Sequence, residues 1–219
     1  MSEITVFSVP GSPYGRAVLA TLEEKALPYR LSALAPSTVR SANYLSRQPF
    51  GKFPAIEHDG FGLYETQAIL RYLDRLKPSA PLSPTDVRAL ARMDQVMNIN
   101  DCYLFHGVGN VIGFQRVVGP RLMGLTPDEA AIEEAMPRAH LVFGELAKLL
   151  GDQPYFAGDA ISLADLMVAP QIDFFFETPE WVPLTQDIPK FVAWFSRLRE
   201  RDCMKKTTWS NVSEMAKAA

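Results

Sequence analysis

Cysteine is nearly absent from this chain: Cys102 and Cys203 stand far apart, outside any C-x-x-C pair and away from clustered histidines. Neither a disulfide framework nor a zinc site is expected from that spacing, and so few thiols fit a reducing, cytoplasmic setting. Histidine is as scarce, with 3 residues. His58, His106 and His140 give no spaced pair for metal binding or a triad, so no metal is expected. Basic charge is not in excess, since 22 Lys+Arg face 25 Asp+Glu for a net charge of −3. That balance lacks the electrostatic footprint of a nucleic-acid binder. No stretch approaches the roughly 18 apolar residues of a membrane span, and Met1 to Pro10 carries Glu3 and no secretory pattern. A soluble protein with neither a membrane nor a nucleic-acid partner is expected. Asn211-Val212-Ser213 matches a glycosylation sequon, read as chance in a chain with no route to secretion.

What is present is material for a core: 219 residues, 47% of them hydrophobic. That length suits one large or two modest domains, at roughly 100 to 200 residues each. Charge is spread unevenly along it. Residues 1–77 hold 9 Lys+Arg against 7 Asp+Glu, and the remainder 13 against 18, so a small anionic ligand would prefer the first part.

Ile4 to Val9 is a β-branched and aromatic run ended by Pro10-Gly11-Ser12-Pro13, which reads as a buried strand closed by a turn. From Tyr14 to Ala26 the residues Ala17, Val18, Thr21 and Leu22 share one helical face. Tyr29 to Leu34 is a second strand, and Ser37 to Ser46 a polar helix capped by Ser37 or Thr38. Pro54 to Glu57 and Phe61 to Tyr64 flank His58-Asp59-Gly60, whose Asp-Gly step signals a hairpin. Glu65 to Leu76 returns to helical spacing through Ile69, Leu70, Tyr72 and Leu73. The order βαβαββα makes a parallel βαβ unit with an antiparallel edge, a thioredoxin-like α/β domain over 1–77.

Three prolines in Lys77 to Pro84 continue neither element, so 78–85 is expected to be a linker and 86–219 an all-helical domain. There Thr85 to about His106 forms a long helix, and Pro127 to Leu150 another, kinked or interrupted at Pro137 and closed by Gly151. Ser162-Leu163-Ala164-Asp165 is a capping box with Asp in place of Glu. Pro189 to Arg199 is a final amphipathic helix.

Three clusters can carry chemistry. Ser12 follows a strand end and precedes a helix whose amides and positive dipole end favour an anion. Its hydroxyl, donating to a bound thiolate, would lower that thiol's pKa; the plain alternative is a helix cap. Ser8 and Tyr14 are neighbours that compete for the same role. At Lys52-Phe53-Pro54, a cis proline opening a strand would leave the Phe53 backbone to pair with an extended ligand, with Lys52 on a carboxylate. The bland counterpart is a trans proline and a solvated lysine. At Glu65-Thr66, where the third helix begins, the Thr66 amide and hydroxyl suit a carboxylate and Glu65 an ammonium group, against an ordinary first-turn cap. Gly107 to Gly113 lacks the spacing and preceding strand of a nucleotide loop. Phe174-Phe175-Phe176 reads first as core.

In combination these segments resemble the cytosolic glutathione transferase family over nearly the whole chain. Gly11 to Val18 is similar to that family's serine-type active-site turn, as in its phi and tau classes. Pro49 to Ala55 followed by Tyr64 to Ile69 resembles the phi-type glutathione site, and Ser162 to Asp165 the second-domain capping box. The resemblance implies that Ser12 stabilises the glutathione thiolate and Lys52 meets the glycyl carboxylate. It also implies that Phe53 beside cis-Pro54 pairs with the cysteinyl backbone, while Glu65 and Thr66 hold the γ-glutamyl head. Thr66 stands where the family usually has serine, and the first turn has no cysteine, which disfavours thiol transfer. Tyr14, Tyr103, His106, Phe114 and Phe174 become candidates for an apolar acceptor site. The implied activity is conjugation of glutathione, the co-substrate, to an electrophilic apolar molecule in detoxification by a homodimer. Glutathione-dependent disulfide or peroxide reduction and a non-catalytic binding protein are the alternatives.

Overall fold

The computed structural model of the chain describes residues 2–218 and divides into two compact units, one formed by the chain up to Ser83 together with Glu200 onward, the other by Pro84–Arg199. Met1 and Ala219, the outer ends of the expected domains, lie outside the described residues.

The first unit runs β1 (Ile4–Ser8), α1 (Pro13–Glu24), β2 (Tyr29–Ala33), a 3₁₀ turn (Pro36–Thr38), α2 (Ala42–Leu45), β3 (Ala55–His58), β4 (Phe61–Tyr64) and α3 (Thr66–Leu76). Its sheet has the order β2-β1-β3-β4. β1 pairs with β2 in parallel, Ile4 opposite Tyr29, and with β3 antiparallel, Phe7 opposite Ala55. The β3–β4 hairpin turns at Asp59 (φ 50°) and Gly60 (φ 78°), the two left-handed residues that a tight hairpin with native twist requires. One expected element is shorter: a turn and the four-residue α2, capped by Ser41 Oγ on the Tyr44 amide at 3.3 Å, replace a helix over Ser37–Ser46. Only Tyr44 of α2 is buried, so no apolar stripe holds a longer helix on the sheet.

Every residue of α1 from Ala17 to Leu22 is buried, more than one amphipathic face accounts for. The reason lies in the last residues of the described chain, α10 (Asp202–Lys206) and α11 (Trp209–Ala218), which pack on this unit. Arg201 pairs with Glu24, Lys206 Nζ reaches Glu23 at 2.9 Å, and Arg16 Nη2 donates to the Met204 carbonyl at 3.1 Å. None of these pairings has a periodicity that sequence reading could detect. Just past Glu24, at the C-terminal cap of α1, the fully buried Lys25 donates to Asp74 Oδ1 at 2.8 Å and to the carbonyls of Lys77 and Ala80 at 3.0 and 2.6 Å. A buried ammonium with all three protons used is tolerated for that reason, and it ties the proline-rich stretch to the first unit.

The second unit is helical: α4 (Val87–Ile99), a wider-turned stretch (Asn100–Val118), α5 (Gly119–Met123), α6 (Glu129–Leu150), α7 (Leu163–Ile172), α8 (Trp181–Thr185) and α9 (Pro189–Arg199). The helix end expected near His106 appears as a break, with ψ 114° at His106 and φ 87° at Gly107. Helical bonding then resumes, which the glycines there had obscured. Pro137 sits inside a continuous α6, and Gly151 closes it at φ 59°. The capping box at Ser162 is present. Asp165 Oδ2 accepts the Ser162 amide at 2.8 Å and hydroxyl at 2.6 Å, while Oδ1 accepts the Phe156 amide at 3.1 Å and Trp194 Nε1 at 2.8 Å. Burial pushes the Asp165 carboxyl up in pKa against the pull of those four donors.

Candidate functional site

Register decides which candidates meet. Phe7, next to the end of β1, lies opposite Ala55 at the start of β3, and Ala55 lies opposite Tyr64 at the end of β4. The turn carrying Ser12, the Phe53-Pro54 step and the Glu65-Thr66 step therefore leave the sheet at the same end.

Ser12 is 7% exposed and stands as N-cap of α1, with Pro13 in the first turn. Its Oγ accepts the Gly15 amide at 3.0 Å, so the cap role is real. An accepted bond leaves the hydroxyl proton available, and among the described residues it is donated to none. Cap and thiolate donor are compatible roles of one oxygen. Ser8 is buried beneath the helix start: a Cβ on Gly15 would sit 2.0 Å from Ser8 Oγ and 3.3 Å from Ser12 Cβ. Ser8 thus acts as floor, and Gly15 is glycine because the floor is that close. Tyr14 is half-buried on the same turn.

The Phe53–Pro54 peptide is cis. Before it, both backbone groups of Lys52 are occupied: its amide donates to Oε1 of the buried Gln48 at 2.9 Å, and its carbonyl accepts the Tyr44 hydroxyl at 2.6 Å. Burial pushes the Tyr44 phenol up to about 12, so it stays a donor at neutral pH. The loop is fixed and the exposed Lys52 ammonium has no carboxylate partner among the described residues. Arg40 was not apparent from sequence. A Cβ on Gly51 (φ 61°) would meet Arg40 Cδ at 3.2 Å and Nε at 3.3 Å, so the guanidinium stem crosses the residue beside Lys52. A lone arginine in a polar run has no spacing signal, and only the Gly51 turn brings this second cation to the loop.

Glu65 adopts φ 70°, ψ 113°, and its side chain makes no cap bond to α3. A non-glycine residue held there costs on the order of 1–3 kcal/mol, and such strain clusters at ligand clamps. Its carboxylate has no cation partner among the described residues, while its carbonyl accepts the Ile69 amide at 3.0 Å. Thr66 is nearly buried at the first helical position, where amides lack an intrahelical acceptor. The arrangement differs from an ordinary acidic cap, which would bond the helix and relax.

The aromatic candidates of the second unit divide. Phe175 is wholly buried core, and Phe176 packs on Trp181, Phe195 and the Arg199 guanidinium, 3.9 Å from its ring centre. Phe174 covers Gly113, where a Cβ would lie 3.5 Å from its ring. Phe114 is half-buried, Tyr103 is 54% exposed, and the exposed His106 meets Phe105 edge-on at 5.2 Å. Gly109 lets α7 approach, since a Cβ there would lie 3.2 Å from Gln171 Oε1, while a Cβ on Gly113 would make only ordinary contact with Phe174, just past α7. Among the described residues no group of three or more His, Cys, Asp or Glu is placed to hold a metal, and no helix is long and apolar enough to cross a membrane.

Comparison with known proteins finds two family domains in the chain. Residues 6–81 match the glutathione S-transferase N-terminal domain and residues 108–202 its C-terminal domain. Glutathione S-transferase hmp2 of Hypomyces subiculosus is 34% identical over 93% of this chain and 98% of its own. The chain belongs to the glutathione S-transferase family. Among solved structures, glutathione transferase F2 of Populus trichocarpa superposes with a TM-score of 0.84 at 26% identity, covering 99% of this chain and 100% of that one. A theta class glutathione S-transferase from Xanthomonas axonopodis pv. citri, solved with glutathione bound, gives 0.83 at 25% identity over 95% and 98%. This family member has the thioredoxin-like α/β fold and the helical fold expected from sequence, but the C-terminal helices α10 and α11, expected with the helical domain, belong to the first unit.

Proposed function

We propose that this chain conjugates glutathione to an electrophilic apolar small molecule. The sulfur loses its proton, attacks the electrophilic carbon and forms a C–S bond as the leaving group departs with its electron pair. The Ser12 hydroxyl at the start of α1 carries this reading: it is buried, capped from the Gly15 amide and donates to no described residue, so a thiolate sulfur is a fitting acceptor. A hydrogen bond to the charged form lowers a thiol pKa, and the helix start adds its dipole. Lys52, joined by Arg40, is proposed for the glycyl carboxylate, the Phe53 backbone for the cysteinyl amide, and Glu65 with Thr66 for the γ-glutamyl ammonium and carboxylate. Charge complements charge at both ends of a tripeptide.

Tyr14 in the first unit and Tyr103, His106, Phe114 and Phe174 in the second are proposed acceptor-binding residues. A homodimer in the cytoplasm is proposed as the working form, and the exposed Phe50, 61% accessible and edge-on to Tyr64, suits burial against a second copy. The test is retention on immobilised glutathione together with turnover of nitro-activated aryl chlorides, followed by absorbance. Retention with conjugation is expected. A folded protein that is not retained would remove the glutathione site.

A further inference from the structure

We propose that Trp209, in the C-terminal helix, is a positioning residue for Ser12. The inference rests on the thiolate role given to Ser12 above, but its geometric basis is separate. Gly11 has φ 85°, and a Cβ built on it would lie 2.3 Å from Trp209 Cε2 and 2.6 Å from both Cδ2 and Cζ2. Three carbons around the ring fusion at that range mean that the indole face lies directly on the Gly11 Cα. Gly11 is the inner residue of a turn closed by the Ser12 amide on the Val9 carbonyl at 3.1 Å, and Ser12 in turn accepts the Arg16 amide on its carbonyl at 2.8 Å. Glycine is the residue with the widest backbone freedom, so the softest point of the turn is the one beneath the ring.

The ring is itself held. Before it, Cys203, Met204 and Thr207 are buried, and the Thr207 hydroxyl caps back on the Cys203 carbonyl at 2.7 Å. Arg16, one turn into α1, donates to the Met204 carbonyl. Glu24 and Glu23, at the far end of α1, take Arg201 and Lys206. The C-terminal segment therefore grips α1 along its length and presses Trp209 onto the residue preceding its cap. A donor must be held within about 0.5 Å of its productive position to act, and a clamped glycine turn supplies that where hydrogen bonds of Ser12 alone leave Gly11 unfixed.

Two measurements test this on the intact chain. The first is hydrogen exchange of residues 9–16 without glutathione in wild type, Trp209→Ala and Trp209→Phe. Faster exchange in Trp209→Ala, largely restored in Trp209→Phe, is expected; unchanged exchange over 9–16 overturns the proposal whether or not glutathione binds. The second is the pH titration of the bound glutathione thiol. In Trp209→Ala it is expected to move upward by about half a unit or more, a roughly threefold fall in the thiolate-to-thiol ratio, with retention on immobilised glutathione kept. Faster exchange with an unmoved titration makes Trp209 a structural residue only and also overturns the proposal. If Trp209→Ala does not fold, Trp209→Leu, apolar but without a flat face, carries both comparisons with the same deciding outcomes. A wild type that is not retained on glutathione refutes the functional reading instead, and the exchange comparison still decides the clamp.

Discussion

Replacing Ser12 by alanine separates the two roles that one oxygen combines. The cap role is the 3.0 Å bond from the Gly15 amide, and losing a serine N-cap costs typically about 1 kcal/mol of stability. The thiolate role is a hydrogen bond to a charged acceptor, worth about 1.5–3 kcal/mol. At 1.36 kcal/mol per unit, removing it raises the bound thiol pKa by roughly one to two units. Near neutral pH the thiolate fraction, and with it the rate of the chemical step, falls by roughly 10- to 100-fold once the pKa exceeds the working pH. Glutathione retention is expected to persist, because Lys52, the Phe53 backbone, Glu65 and Thr66 are untouched. Ultraviolet absorbance of the thiolate, titrated against pH with wild type and variant, reads the first effect, and denaturant unfolding reads the second. If the variant loses stability while the bound thiol titrates as in wild type, Ser12 is a cap alone and the activation argument fails.

Glu65→Gly is expected to abolish retention on immobilised glutathione without destabilising the fold, since glycine accepts the φ 70° conformation at no steric cost; retained binding would remove Glu65 from the site. Lys25→Met leaves the Asp74 carboxylate buried without its cation, a loss of about 3–5 kcal/mol measurable by denaturant unfolding. Burial pushes the Asp74 carboxyl up, but Lys25, Ser83 and the Leu82 amide hold it net below the ordinary aspartate value. A depressed carboxyl stabilises the fold above that value and loses its contribution as pH falls through the folded pKa. Unfolding free energy should therefore drop below about pH 4, with a shallower slope in Asp74→Asn; an equal slope refutes the pairing. Burial and the neighbouring Glu24 push the Cys203 thiol up to about 12. A disulfide reagent at pH 8 should accordingly modify the exposed Cys102 promptly and Cys203 only on unfolding.

The strands and the helices α1, α3 and α9 were legible because each carries its own period or punctuation: β-branched residues in β1, Asp59-Gly60 in the hairpin, apolar spacing in α3. The region 36–46 was less legible, since a polar run without an apolar stripe gives no periodic signal, and it folds as a turn and one short helix. The helical path after Asn100 was hidden by its glycines, which sequence reading takes as breakers, although Gly109 is where Gln171 of α7 comes close. Arg40 and Trp209 were missed because their importance lies in contacts with glycines, and a glycine announces backbone freedom without saying what approaches it.

Local sequence was enough for the element order of the first unit, the hairpin and the capping box at Ser162, because turn chemistry, capping and periodicity act over a few residues. Ser12, Lys52, Phe53, Glu65 and Thr66 were candidates on those local grounds, each with a plain structural counterpart, and the family resemblance is what implied their roles. Only the tertiary structure decided that their turns leave the sheet at one end, through the β1–β3–β4 register, and that the Ser12 hydroxyl finds no acceptor among the described residues. It also decided that α10 and α11 close onto α1, through Glu23, Glu24, Met204 and Gly11. Those outcomes depend on pairing between residues up to nearly two hundred positions apart, where burial and charge compensation are settled jointly and no local pattern records the result.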